Sequence, residues 1–145
     1  MRLPSARTRR TAESWRSRGL KPVADVIPRV GADALIIQSY TPQGFRISGT
    51  DYGGTILIAG GKVHPIEARS AAQLDYRHFS VLKGLDISYL VMGCGAKAQM
   101  PSLDVLQELR HMGIVPEVMS TGAACRTYNV LLAEGRQVGA LLVPG

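Results

Sequence analysis

The sequence predicts an α/β fold in which an N-terminal β-meander is followed by alternating helices and strands. Three observations carry that prediction. Residues 34–66 are short β-branched and aromatic runs punctuated by Gly and Pro. After Glu67 the apolar period changes from 2 to 3.6, and helical and extended stretches then alternate as parallel strands require. The net charge is confined to one end, leaving the rest with the composition of a packed domain.

The charge is +6 over 145 residues, with 17 Lys and Arg against 11 Asp and Glu. Arg2, Arg7, Arg9, Arg10, Arg16, Arg18 and Lys21 face only Glu13 within the first 21 residues, so that segment holds the whole excess. The isoelectric point near 9.7 therefore describes a tail. Residues 22–145 carry no net charge to attract a polyanion, and no specific nucleic-acid partner is expected of them. Residues 1–32 read as a basic, disordered tail and linker, and 33–145 as one domain. The tail is Arg-rich, contains Ser and Thr and is poor in acids, which is the composition of a mitochondrial transit peptide. Leu3, Ala6, Trp15 and Leu20 do not form the helical stripe such a peptide needs, so a solvated arm or an upstream start codon stand as alternatives. The expected location is cytoplasmic in a bacterium, and the mitochondrial matrix or inner-membrane face if the tail is a transit peptide. No apolar run approaches a membrane-spanning length.

Taken in order, Lys21-Pro22 and Ile27-Pro28-Arg29 read as linker, because proline disfavours helix before it and cannot donate to a ladder. Leu35 to Tyr40 is a strand closed by Thr41-Pro42-Gln43-Gly44, and Phe45 to Ser48 alternates as the next. Asp51-Tyr52-Gly53-Gly54 is expected to be a turn, Thr55 to Ile58 a more buried strand, and Lys62 to Ile66 its partner across Gly60-Gly61. A first helix is expected over about 72–83, ended by Gly84, and a buried strand over Ile87 to Met92. Pro101 suits the first turn of a second helix, whose Val105, Leu106, Leu109 and Met112 share a face before Gly113 ends it. Val115 to Met119 is a strand. Ser120 or Thr121 caps a third helix reaching Glu134, and Gln137 to Val143 is the last strand.

Few motifs carry chemistry. Gly93-Cys94-Gly95-Ala96-Lys97-Ala98 fits a relaxed dinucleotide fingerprint. The helix starts too late for it, however, and Glu117, the acid that should meet a ribose, lies in mid-strand, so the loop reads as a packing turn. Ser120 to Arg126 is a capped, small-residue helix start with a guanidinium nearby. It can be an anion site sharing one pocket with Gly93, Gly95, Thr121 and Arg126, or a structural cap with an Arg–carboxylate pair. Cys125 in the first helical turns can be a reactive thiolate with Cys94 as its resolving partner, or both can be small buried hydrophobes. The two cysteines have no metal-ligand or disulfide spacing. His64, His78 and His111 fall on separate elements, and Asp51, Glu117 and Glu134 are isolated acids. No catalytic constellation, metal site or cofactor is expected.

The run from Gly113 to Arg136 resembles the signature of the respiratory complex I assembly factor 3 family and its bacterial and archaeal relatives. Arg126-Thr127-Tyr128-Asn129, with Glu134 and Arg136, is its specific part. Asp51-Tyr52-Gly53 and the Gly93-x-Gly95 loop support it, and the resemblance covers about 35–144. It implies a three-layer domain on a central mixed sheet of about five strands, with the last strand antiparallel to the rest. It also implies a non-catalytic, chaperone-like protein-binding module whose partners are other proteins, complex I subunits or a second assembly factor, with membrane contact only through them. Asp51, Tyr52, Gly93, Gly95, Thr121, Arg126, Thr127, Tyr128, Asn129, Glu134 and Arg136 are then the candidate pocket or partner surface. The alternative is a small-ligand-binding protein or enzyme using the Gly93–Arg126 sheet edge. Val115-Pro116 departs from the family pattern, since proline within a strand belongs at its start or on an edge.

Overall fold

The computed structural model describes residues 20–22 and 34–145. The basic segment 1–19 and the Ile27-Pro28-Arg29 linker lie outside the described residues. The strands are β1 (Lys21–Pro22), β2 (Ile37–Thr41), β3 (Gly44–Ile47), β4 (Thr50–Gly53), β5 (Ile56–Ala59), β6 (Lys62–Pro65), β7 (Tyr89–Cys94), β8 (Val115–Met119) and β9 (Val138–Val143). The α-helices are α1 (Leu103–His111) and α2 (Thr121–Ala133).

The expected meander divides between two sheets. β1 to β4 form a small antiparallel sheet in chain order, while β5 and β6 join a mixed sheet of order β6-β5-β9-β7-β8. The reason lies in the side chains. Ile56, Leu57, Ile58 and Ala59 are all buried, and a strand with no polar alternation must be covered on both faces. Asp51-Tyr52-Gly53 is also not a turn but strand β4, with Arg46 opposite Asp51 and Phe45 opposite Tyr52. The turn comes earlier, at Ser48-Gly49, where both residues are left-handed (φ 46° and 86°), as a two-residue hairpin demands. Lys21-Pro22, expected as linker, pairs with Tyr40 and Ser39 along the edge of β2.

In the large sheet β7 pairs in parallel with both β8 and β9, whereas β9 pairs antiparallel with β5. The last strand is therefore parallel to β7 and β8, contrary to expectation. It follows a helix that returns it in the direction of β8, and the reversal falls on β5. The β7-α1-β8 and β8-α2-β9 crossovers run in opposite senses along the sheet, so a common hand places their helices on opposite faces. One core joins Leu57, Leu90, Met92 and Leu141 to Val105 and Leu109 of α1 and to Phe79. The other joins Ile56, Ile58, Val91 and Leu142 to Ala124 and Tyr128 of α2 and to Ile37 and Phe45 of the small sheet. These are the three layers.

The first expected helix is instead two 3-10 stretches, Ala71–Gln73 and Tyr76–Leu82. Leu74 between them is extended, and Asp75 restarts the chain as a cap: its carboxylate accepts from the Arg77 amide at 2.9 Å, and its own amide donates to His78 Nδ1 at 3.0 Å. Pro101 lies before α1 and not inside it, because Ser102 is the cap and accepts from the Val105 amide. Pro116 is explained by its place on β8, an outer strand. The Val115 amide points inward to Ser88 O, so by strand alternation position 116 faces outward, where a missing N–H leaves no ladder bond unmade and blunts the edge.

Candidate functional site

The carboxyl ends of β7, β8 and β9 converge on Thr121, the first residue of α2. Its hydroxyl accepts from the Gly95 amide at 2.9 Å and donates to Val143 O at 2.5 Å, and its amide donates to Gly95 O at 3.0 Å. Thr121 is fully buried. Gly93 is packed so closely under α2 that a Cβ there would lie 2.8 Å from Ala124 Cβ and 3.0 Å from Thr121 Cα, and Gly145 sits equally close over Gly95. The pocket expected between Gly93, Gly95, Thr121 and Arg126 is therefore filled by the protein's own atoms. The fingerprint reading fails too, since Ala98 is left-handed (φ 54°) and α1 begins only at Leu103. The helix that follows the glycine loop in sequence does not start against it, and the helix start that does meet it, Thr121 of α2, is bonded to Gly95 directly.

Ser120 caps α2 as expected, accepting from the Ala123 amide, but Arg126 has no carboxylate partner among the described residues. Further along, Asn129 is fully buried and brackets one residue of the small sheet: its Oδ1 accepts from the Ile37 amide at 3.1 Å and its Nδ2 donates to Ile37 O at 2.8 Å. A single side chain thus ties α2 to β2. Tyr128 packs in the same core, and burial pushes its hydroxyl up to about 12. Cys94 and Cys125 are both buried, on opposite faces of the large sheet. Burial pushes Cys94 up to about 11 and, against the opposing charge of Arg126, pushes Cys125 up to about 12. Both are thiols at neutral pH, separated by the sheet, which removes the thiolate and resolving-cysteine reading.

The remaining signature residues lie at the surface. Arg126, Val130 and Glu134 follow one another on the solvent face of α2, with Thr127 half-buried beside them. Glu134 pairs with Arg136 at 3.6 Å, and the Arg136 guanidinium lies 5.7 Å over the Tyr89 ring. Asp51 pairs with Arg46 at 3.4 Å on the small sheet, where Tyr52 packs against the second core. The structure thus brings Thr121, Gly93 and Gly95 together and sets Arg136 and Tyr128 on one cleft, while Tyr52 joins the core that holds Tyr128 and Asp51 lies on the small sheet beside Arg46.

An open cleft of about 300 Å³ lies at the amino ends of β7 and β9, lined by Leu35, Ile58, Leu85, Leu132, Arg136 and Gln137, with Tyr128 at its wall. Sequence reasoning found only Tyr128 and Arg136 there. The remaining signal is weak: an apolar Leu85 immediately after the Gly84 turn, 37% exposed. His64 meets Ala59 O, His78 serves the Asp75 cap and His111 lines a shallow groove beside Tyr76. Among the described residues no group of three or more His, Cys, Asp or Glu can hold a metal ion, and no helix is long and apolar enough to cross a membrane.

The profile of the family described as "Protein of unknown function (DUF498/DUF598)" matches residues 37–143. The chain is 34% identical over 121 residues to human NADH dehydrogenase (ubiquinone) 1 alpha subcomplex assembly factor 3, covering 82% of this chain and 66% of that protein. It is 38% identical over 113 residues to an uncharacterised protein of Rhodobacter capsulatus, covering 78% and 87%. A crystal structure described as an outer membrane protein from Bartonella henselae matches with a TM-score of 0.70 at 32% identity, over 76% of this chain and 94% of that one.

Proposed function

The chain belongs to the DUF498/DUF598 family, and from that membership we propose that it is a non-catalytic protein-binding module that helps assemble respiratory complex I. The observation that carries this reading is the 34% identity to the human assembly factor, which extends over 121 residues and not over one motif alone. The geometry supports it in two ways. The sheet edge where open α/β domains usually take small ligands is occupied by the Thr121 bridge and by Gly145. The solvent face of α2, with Arg126, Val130 and Glu134 leading to Arg136, offers a mixed polar and apolar surface to a protein. The partners are complex I subunits or a second assembly factor, and contact with the membrane comes through them.

In a host that carries complex I, deleting the gene is expected to lower both the assembled complex seen on native gels and NADH:quinone activity in membranes. Complementation with Arg126→Glu/Arg136→Glu restores less than the parent gene while the protein still accumulates. Normal complex I in the deletion strain would overturn the proposal.

A further inference from the structure

We infer an oxyanion-binding site on the outer flank of the α2 N-terminus, formed by the Tyr40 hydroxyl, the Gly122 amide and the Arg126 guanidinium. Tyr40 is only 9% exposed, and its hydroxyl has no hydrogen-bond partner among the described residues. No such orphan among the described residues is closed off from water, so the hydroxyl keeps some contact with solvent. A tyrosine buried to this degree ordinarily satisfies its O–H. Here the ring is packed in the second core and the O–H is held out over the first turn of a helix.

Gly122 makes that placement possible, since a Cβ would overlap the Tyr40 hydroxyl. The Arg126 Nη1 lies 3.7 Å from where that Cβ would be, so the phenol and the guanidinium both border one spot beside the helix start. The Gly122 amide is unpaired among the described residues, because Ser120 serves the amides of Ala123 and Ala124 and Gly95 takes that of Thr121. No acidic residue occupies the first turn to neutralise the dipole there. Lys21 Nζ lies 5.9 Å over the Tyr40 ring and adds a second positive charge. The Tyr40 hydroxyl, the Gly122 amide, Arg126 and Lys21 can all donate, and the charged groups among these four are cations, which selects a carboxylate or phosphate oxygen over a cation or a neutral amide. This site is separate from the filled Gly93–Thr121 interface, and it stands whether or not the assembly reading does.

The test is a titration of the full chain followed by NMR at the Gly122 amide and the Tyr40 ring, with sodium phosphate, sodium acetate and sodium chloride at matched ionic strength. Saturable shifts are expected with phosphate, acetate or both, and not with chloride, and the two arms distinguish the phosphate from the carboxylate class. Tyr40→Phe, which keeps the ring and its packing, and Arg126→Gln, on an exposed residue, each weaken binding on the order of tenfold. Arg110→Gln on α1 leaves it unchanged. Shifts that follow chloride equally, or binding retained in both variants, would overturn the inference.

Discussion

The two ends of the parallel strands contrast. At their carboxyl ends the loops after β7 and β8 and the chain beyond β9 bond to one another through Thr121, Gly95 and Val143, and the close approaches at Gly93 and Gly145 leave no room. At their amino ends Leu85, Arg136 and Gln137 border open space of about 300 Å³. Small residues in a loop after a strand are commonly read as room for a ligand. Here they are room for the protein itself, and the glycines mark where backbone meets backbone.

The contrast can be broken most severely at Gly93. Gly93→Ala drives a Cβ into Ala124 and the Thr121 backbone, and the expected loss is about 3 kcal/mol, at the upper end for overpacking, read as a lowered denaturation midpoint. Retained stability would mean that α2 lifts freely from the sheet. Thr121→Val, which keeps shape but removes the bridge, orphans the Gly95 amide and Val143 O and is expected to cost about 2 kcal/mol.

The thiols sharpen the picture through pH. Their folded values, about 11 for Cys94 and about 12 for Cys125, lie above the ordinary 9.0. The unfolded chain therefore releases protons first, and their stabilising contribution is complete below pH 9 and declines as pH rises toward 11 and 12. The slope is at most about 1.4 kcal/mol per pH unit for each thiol. Chemical denaturation at stepped pH measures it, and a flat profile would show that water reaches them. The smallest effect is expected at the open end: Leu85→Ser or Arg136→Ala changes stability by less than about 1 kcal/mol, because both side chains are substantially exposed.

Much of the fold was legible because apolar periodicity and helix caps are local. Ser120, Gly113 and Gly135 end or begin their elements where the sequence indicated. What was not legible depends on partners far along the chain. Four successive buried residues in β5 signal cover on both faces but not which strand supplies it, so the division of the meander was missed. The 3-10 stretches follow from the Asp75–His78 cap, which competes with an α-helical pattern that looks adequate by period alone. The signature residues Thr121 and Asn129 stood out as a pattern, yet their roles as brackets to Gly95, Val143 and Ile37 depend on tertiary contacts. Tyr40, the core of the inferred anion site, carried no motif, because its position over Gly122 exists only after β2 docks on α2.

The position of β9 has a consequence for synthesis. It is the last of the large sheet's strands to leave the ribosome and the one that sits between β5 and β7. Until it emerges, the β5–β6 hairpin and the β7-α1-β8 unit share no strand pairing, and each exposes an unpaired backbone edge on a strand of mainly apolar side chains. Closure of the sheet therefore waits for translation of the final strand, and during that interval the nascent chain is at its most vulnerable to misassociation.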